Sequence, residues 1–160
     1  MTSRSGFLVR RIALVASLLV GPGLVVTAAP AQAYTPSATT VAAFEARVIY
    51  QMNVQRTRYG RAKLAANSCP DYYAERWDSY LARTWTFYHQ SMYTVLRGCH
   101  ATRAAENLAR GYTTADRTVA AWMASPGHRA NILDGRLTRV GVAAVYARGQ
   151  WVVTADFTRP

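Results

Sequence analysis

The segment Ala105–Leu133, AENLARGYTTADRTVAAWMASPGHRANIL, restricts the fold of this chain more than any other. It places Glu106 in a predicted turn among small apolar residues. The spacing of Thr113 and Asp116 is a capping pattern that predicts a helix directly after them. The inner face of that helix would carry Ala115, Val119, Trp122 and Met123. Ser125-Pro126 then predicts the start of another short helix, because proline is favoured in a first helical turn.

Two further helices are predicted upstream of this segment. Val41, Phe44, Val48 and Met52 recur at helical spacing, which predicts an amphipathic helix ending near Gly60. A second helix is predicted to begin at Ser68 as its N-cap, with Pro70 in the first turn. The inner face of the second helix would carry Tyr73, Trp77, Leu81 and Trp85.

Beyond Asp134-Gly135, where the last predicted helix stops, the periodicity changes from helical to alternating. The alternating apolar residues predict two strands and are Val140, Val142 and Tyr146, then Trp151, Val153, Ala155 and Phe157. Arg148-Gly149-Gln150 is predicted to form the turn between these strands. Helices followed by a hairpin predict an α+β domain with helices packed on a sheet.

The first 33 residues are predicted to be a cleaved signal peptide. Arg4, Arg10 and Arg11 precede the apolar run Ile12–Val20, and Ala31-Gln32-Ala33 provides small residues at the cleavage position. An uncleaved anchor is the alternative, but the run is short for a spanning helix. We therefore expect a secreted protein without a transmembrane anchor, consisting of one domain over residues 34–160.

Cys69 and Cys99 are the two cysteines of the chain. An even count in an exported protein predicts one disulfide. The alternative is metal binding by two thiolates, which the absence of a C-x-x-C pair disfavours.

The expected mature chain is strongly basic. Removing the three leader arginines from 19 basic residues leaves 16, against 8 acidic residues, for a net charge of about +8. This charge favours polyanionic partners. The arginines are scattered along the sequence, however, and no nucleic-acid-binding motif is present, so a solvated basic surface is predicted and specific nucleic-acid binding is not.

The order of these motifs resembles the CAP superfamily of cysteine-rich secretory, antigen-five and pathogenesis-related-one proteins, in its bacterial secreted type. Besides Ala105–Leu133, the matching pieces are Asn53-x-x-Arg56, Phe87-Tyr88-His89, Arg139–Val142 and Trp151–Phe157. The resemblance implies a three-layer α-β-α sandwich with a C-terminal antiparallel hairpin. It also implies a shallow cleft that, in some members, holds a divalent cation between two histidines and two glutamates.

His89, Glu106 and His128 are the candidate site residues. His128 is predicted near a helix N-terminus, which disfavours its protonated form and leaves a neutral imidazole for metal or proton binding. The resemblance implies that His89 and Glu106 match one histidine and one glutamate of the family cleft. Ser125 and Arg136 stand where its other two members are expected. Three ligands would still form an open zinc site, with water in the fourth position.

A structural role is the alternative for the same residues. Asn107 and Arg129 would then hydrogen-bond the Glu106 turn to the last predicted helix, with Asn53, Arg56 and Trp122 as further scaffold residues. No nucleophile, base and orienting group can be identified together in the sequence. We therefore expect a monomeric, non-enzymatic binding protein outside the cell or at its envelope, with lipid, wall glycan or protein as ligand. The alternative is a metal-dependent peptidase using the His89, Glu106 and His128 cleft.

Overall fold

The computed structural model describes residues 35–160, so the predicted signal peptide and its cleavage site lie outside the described residues. The described elements, in chain order, are α1 (Ala38–Arg58), β1 (Ala65–Ala66), α2 (Ser68–Thr84), α3 (Met92–Gly98), β2 (Arg103–Arg110), α4 (Ala115–Ala124), α5 (Pro126–Leu133), β3 (Arg139–Ala147) and β4 (Gln150–Arg159). In this part of the chain, no helix has the length and apolar character needed to cross a membrane.

The strands form one sheet between two layers of helices. Its order is β1-β3-β4-β2, with β1 parallel to β3 and the other pairs antiparallel. Side chains from α1, α4 and α5 pack on one face in the main hydrophobic core, and α2 packs on the other face in a smaller one. Residues 151–158 of β4 are all buried. The predicted α+β class and three-layer sandwich are confirmed.

The periodicity correctly predicted α1, α2, α4, α5 and the final hairpin, but three details were wrong. Glu106 lies in the middle of β2 instead of in a turn. Helix α2 is capped by Asn67, whose side chain accepts from the Cys69 N–H, and α4 is capped by Thr114. The sequence analysis did not predict α3, whose seven residues are too few to show a helical repeat.

Side chains from the helices close both edges of the sheet. On β3, beyond the two residues that pair with β1, the N–H groups of Val142 and Ala144 donate to carboxylate oxygens of Asp71 and Glu45, at 3.1 and 2.9 Å. On β2, the edge strand at the other side, carbonyl oxygens accept from side chains of α4 and α5. These contacts satisfy backbone groups that would otherwise be available to pair with another chain.

The predicted disulfide is confirmed. Cys69 in the first turn of α2 is bonded to Cys99, which follows α3, across 30 residues of sequence. A loop of this length should stabilise the folded chain by about 3–4 kcal/mol through the lost entropy of the unfolded chain. The bond therefore holds α3 and the segment before it, residues 85–91, against α2.

Gly141→Ala is expected to destabilise the fold by about 3 kcal/mol, because overpacking costs most where the neighbour cannot move. A Cβ at Gly141 would overlap backbone atoms of Pro70 and Asp71 at the start of α2. Urea unfolding measures the change. Gly127→Ala is the matched control, since a Cβ there meets nothing within 4 Å and alanine favours the helix. Equal stability of the two variants would contradict the close approach of α2 to β3.

Candidate functional site

His89 and Glu106 form a hydrogen-bonded pair on the face of the sheet that α2 covers. Nδ1 of His89 lies 2.6 Å from Oε1 of Glu106. The Glu106 side chain is 1% exposed, whereas that of His89 is 60% exposed. When Glu106 is ionised, Nδ1 must carry the hydrogen, because a carboxylate can only accept. The buried glutamate thus orients the exposed ring and leaves Nε2 of His89 available to a ligand.

A second buried carboxyl group lies beside Glu106. Asp156 is directly opposite Glu106 in the register of β2 and β4. The side-chain amide of Gln90 bridges the two acids, donating to Oε2 of Glu106 at 2.9 Å and to Oδ2 of Asp156 at 2.8 Å. Burial raises the pKa of Glu106. Burial and then the charge of Glu106 raise the pKa of Asp156 to about 8, so this acid is largely neutral at pH 7.

His128 lies in the first turn of α5 and is half-buried. Burial lowers its pKa, and the nearby charge of His89 lowers it further. Among the described residues, no hydrogen bond joins the His128 ring to His89 or Glu106, so the hydrogen bonds bring together two of the three candidate residues. Ser125 and Arg136 do not add to the cluster. Ser125 precedes α5 without a side-chain capping bond, and Arg136 is paired with Asp134 at 2.9 Å.

The three candidate residues, as arranged, do not fit a three-ligand metal centre. Both carboxylate oxygens of Glu106 already accept hydrogen bonds, from His89 and from the backbone and side chain of Gln90. Across residues 35–160, no three His, Cys, Asp or Glu side chains are grouped so that they could hold one metal ion. Zinc binding therefore stays a prediction from the sequence.

The predicted scaffold contacts exist, but with different partners. Nδ2 of Asn107 donates to the backbone carbonyl of His128 at 3.1 Å, so the histidine contributes its carbonyl and not its ring. The Arg129 side chain is exposed and forms no hydrogen bond with a described residue; its backbone N–H donates to the carbonyl of Ser125 at 2.9 Å. Asn131 takes the place predicted for Arg129, since its Nδ2 donates to Oδ1 of Asn107 at 2.9 Å and to the carbonyl of Glu106 at 3.1 Å.

An open groove with a volume of about 1000 Å³ begins at His89 and runs along α2; we call it the α2 groove. It is lined by five aromatic residues, Tyr72, Tyr73, Trp77, Tyr80 and Tyr88, and by Glu75, Arg76, Ser79, Arg83, His89, Gln90, Ser91 and Thr94. The rings of Trp77 and Tyr80 are stacked with centroids 5.1 Å apart, and Tyr88 stands edge-on to both. The indole N–H of Trp77 donates to the carbonyl of Tyr88 at 3.1 Å, which fixes this aromatic wall.

Gln90, Asn131 and Asp156 also belong to the site but were not predicted from the sequence. Asp156 carried a usable signal, because a lone acid in the apolar run Trp151–Phe157 is expected to be buried and partnered. Gln90 and Asn131 carried no such signal in the sequence. Each acts through two acceptors that the fold brings together from other elements.

Asp156→Asn is expected to flatten the dependence of stability on pH. The pKa of Asp156 rises from 3.8 to about 8 on folding, so the folded chain binds more protons than the unfolded chain between these values. Its stability therefore falls as pH rises from about 4 to 8. The variant removes this loss, which linkage puts at about 1.4 kcal/mol for each pH unit between the two pKa values, and should therefore be the more stable protein at pH 8. Denaturant unfolding from pH 5 to 9 measures the effect.

Asp116→Asn is the control for this pH dependence, because Asp116 is exposed and its hydrogen bond with Arg47 lowers its pKa. A group of that kind loses its stabilising effect only as pH falls towards its lowered pKa. The slope between pH 5 and 8 should be that of the parent. An Asp156→Asn curve parallel to the parent curve would contradict the assignment of the slope to Asp156.

The sequence of this chain matches those of known proteins. A sequence model of the CAP family, described as the cysteine-rich secretory protein family, matches residues 49–157. The uncharacterized protein YkwD of Bacillus subtilis is 30% identical over an alignment of 132 residues that covers 78% of this chain and 51% of that protein. The chain thus spans about half the length of the curated relative it matches.

Solved structures share the fold. An extracellular protein of Bacillus anthracis that contains an SCP domain superposes with a TM-score of 0.69 at 22% identity, covering 80% of this chain and 45% of that chain. An outer surface protein of Borrelia burgdorferi gives a TM-score of 0.65 at 16% identity, covering 70% of this chain and 89% of that chain. At these identities the likeness concerns the fold alone.

Proposed function

This chain belongs to the CAP family of cysteine-rich secretory proteins, and from that premise we propose that it is a non-enzymatic binding protein of the extracellular space or the cell envelope. Its ligand in this proposal is a wall saccharide held in the α2 groove. Two solved relatives are described as an extracellular and an outer surface protein, which supports this location. The predicted signal peptide supports it as well.

The observation that carries the proposal is the aromatic lining of the α2 groove. Tyr72 and Tyr88 are 52% and 47% exposed, so both rings are open to a ligand in the groove, and exposed aromatic rings grouped in this way mark binding surfaces. The hydroxyl of Tyr88 donates to that of Tyr80 at 3.0 Å, so the rings are already held in place before a ligand arrives. Preorganised aromatic side chains provide contact area at low entropic cost.

A saccharide fits this groove better than a lipid tail. Its pyranose C–H groups pack on aromatic faces, while its hydroxyls can bond to tyrosine hydroxyls and to charged groups. Arg76 and Arg83 lie over the rings of Tyr72 and Tyr80, at 5.5 and 5.8 Å, and so offer donors beside the rings. A lipid tail needs an enclosed apolar cavity, whereas this groove is open and is lined by charged and hydroxyl side chains as well as by rings.

His89 would act in this proposal as a hydrogen-bonding group at one end of the groove. Glu106 orients the ring, and burial keeps water from competing for the carboxylate. Among residues 35–160, no serine, threonine or cysteine side chain is hydrogen-bonded to His89, whose one side-chain partner is Glu106. His89 therefore has no side-chain nucleophile beside it to activate among the described residues, which disfavours hydrolysis of the serine or cysteine type.

Cosedimentation with purified peptidoglycan tests the proposal. The parent protein should be retained, and Tyr72→Ala combined with Tyr88→Ala should lose most of that retention, because both rings leave the groove wall. Tyr59→Ala combined with Tyr93→Ala is the matched control, since both tyrosines are exposed and neither lines the groove. Equal retention of the two double variants would contradict a role of the α2 groove. Retention on phosphatidylglycerol vesicles alone would favour the lipid alternative.

The metal-dependent peptidase stays a prediction from the sequence. Zinc titration by calorimetry, with a His89→Ala/His128→Ala double variant beside the parent, tests it directly. Given the occupied carboxylate oxygens of Glu106, we expect no zinc binding that depends on the two histidines. Tight zinc binding by the parent that the double variant loses would instead support the metal-dependent peptidase.

A further inference from the structure

A second group of arginines and aromatic rings lies at the hairpin end of the sheet, apart from the α2 groove. The guanidinium groups of Arg110 and Arg148 are 4.8 and 4.9 Å from the ring centroid of Trp85. Arg110 is also 4.8 Å from the ring centroid of Phe87. Arg110 ends β2, and Arg148 is in the turn between β3 and β4, so three separate parts of the chain bring these groups together.

The backbone at this site is strained at two positions. Trp85 has a φ of 58° and Arg148 a φ of 49°, and only one other non-glycine residue among those described, His100, has a positive φ. Arg148 and Gly149 are the two residues of a hairpin turn in which both φ angles are positive, a turn that favours asparagine or glycine at its first position. Strain of this kind persists where surrounding structure requires it, and it concentrates at binding sites.

The two guanidinium groups have no acidic partner. No carboxylate within residues 35–160 forms an ion pair with Arg110 or Arg148. One N–H of Arg110 donates weakly to the Trp85 carbonyl at 3.4 Å, and Arg148 forms no hydrogen bond with a described residue. Stacking on an aromatic ring occupies the face of a guanidinium and leaves its in-plane N–H donors free.

We propose that Arg110 and Arg148, supported on Trp85 and Phe87, form a binding site for a phosphate group. Two positive charges with free planar donors suit a phosphate, which guanidinium groups bind through paired N–H···O bonds. A turn of this type that served the fold alone would favour asparagine at position 148. The arginine found there, at a strained φ, therefore indicates a role for its side chain. The site is independent of the α2 groove, so failure of either proposal leaves the other standing.

Titration of the labelled domain with inorganic phosphate, at constant ionic strength in chloride and followed by NMR, tests the proposal. The side-chain N–H signals of Arg110, Arg148 and the Trp85 indole should shift and saturate. Arg148→Asn and Arg110→Gln should each weaken binding by about tenfold or more, as expected for losing charge-assisted hydrogen bonds. Arg117→Gln is the control, because it removes the same charge from an exposed position on α4. It should leave the affinity unchanged.

Thermal unfolding separates binding from a stacking role. In chloride, Arg148→Asn should be as stable as the parent, since asparagine accepts the positive φ, and phosphate should raise the unfolding midpoint of the parent only. Failure of the signals to saturate, or equal weakening by Arg117→Gln, would overturn the proposal. The proposal would also be overturned if Arg148→Asn were less stable than the parent in chloride and phosphate did not stabilise the parent. Competition by glycerol-phosphate polymer or by phosphatidylglycerol vesicles would identify the polymer or the lipid as the source.

Discussion

Arg56→Met is expected to lower the free energy of unfolding by about 4 kcal/mol, because it orphans a set of buried carbonyl groups. The Arg56 side chain is 1% exposed. Its guanidinium donates to four backbone carbonyls at 2.6 to 3.1 Å, those of Ala62, Ile132, Asp134 and Leu137. Methionine replaces most of the apolar stem, so the loss reports on the hydrogen bonds more than on packing. Chemical denaturation measures it.

Arg58→Met is the matched control for Arg56→Met. Arg58 is two residues along the same helix and exposed, and its replacement changes the net charge by the same amount. Surface changes of this kind usually stay within about 0.5 kcal/mol. If both variants lost the same free energy of unfolding, the effect would come from net charge or helix propensity. The buried hydrogen bonds of Arg56 would then not be its cause.

Asn53-x-x-Arg56 shows how a motif with little sequence specificity can carry much of the structure. Three-residue spacing places both side chains on one face of α1. Asn53 exchanges two hydrogen bonds with the backbone of Leu64, at 3.0 and 2.7 Å, and Arg56 joins the same loop to the end of α5. The pattern is common in helices of every kind. The motif acts through carbonyl groups that are distant in the sequence, and the positions of these groups depend on the complete fold.

The sequence predicted elements with a clear contrast between two faces and missed those that lack it. Helices α1 and α4 show this contrast because their apolar residues recur on the buried side. Strand β4 is buried throughout, but Thr154 and Asp156 on one face still alternate with apolar residues on the other. Strand β2 reads as RAAENLAR, and its residues 106–109 are buried on both faces. A strand covered by helices on both sides needs no alternation, so its small residues and Glu106 resembled a turn.

The candidate site was predictable as a set of residues but not as a set of contacts. His89 and Glu106 are 17 positions apart, and their pairing depends on how β2 and the segment before α3 are held. Asn131, and not Arg129, reaches Asn107 because residues on one turn of α5 point in different directions. The register of β2 and β4, which places Asp156 opposite Glu106, is equally invisible to a motif.

Trp122→Ala is expected to destabilise the domain by about 4–5 kcal/mol, because two independent losses coincide at this residue. The side chain is 1% exposed in the main core, and truncating a buried tryptophan costs about 3–5 kcal/mol through the cavity left behind. Its indole Nε1 also donates to the carbonyl of Leu108 at 2.9 Å. That carbonyl lies on the edge strand β2 and would be left buried without a donor.

Trp122→Phe separates the two losses, because phenylalanine keeps much of the ring and removes the N–H. We expect it to cost about 1–3 kcal/mol, the penalty of an unsatisfied buried carbonyl, with the rest of the alanine effect due to the cavity. Hydrogen exchange should show faster opening of β2 than of β4 in the phenylalanine variant, since β2 depends on this bond and β4 is held between two strands. Uniform exchange across the sheet would mean that Trp122 serves the core alone, and that the edge of β2 is held by Asn131.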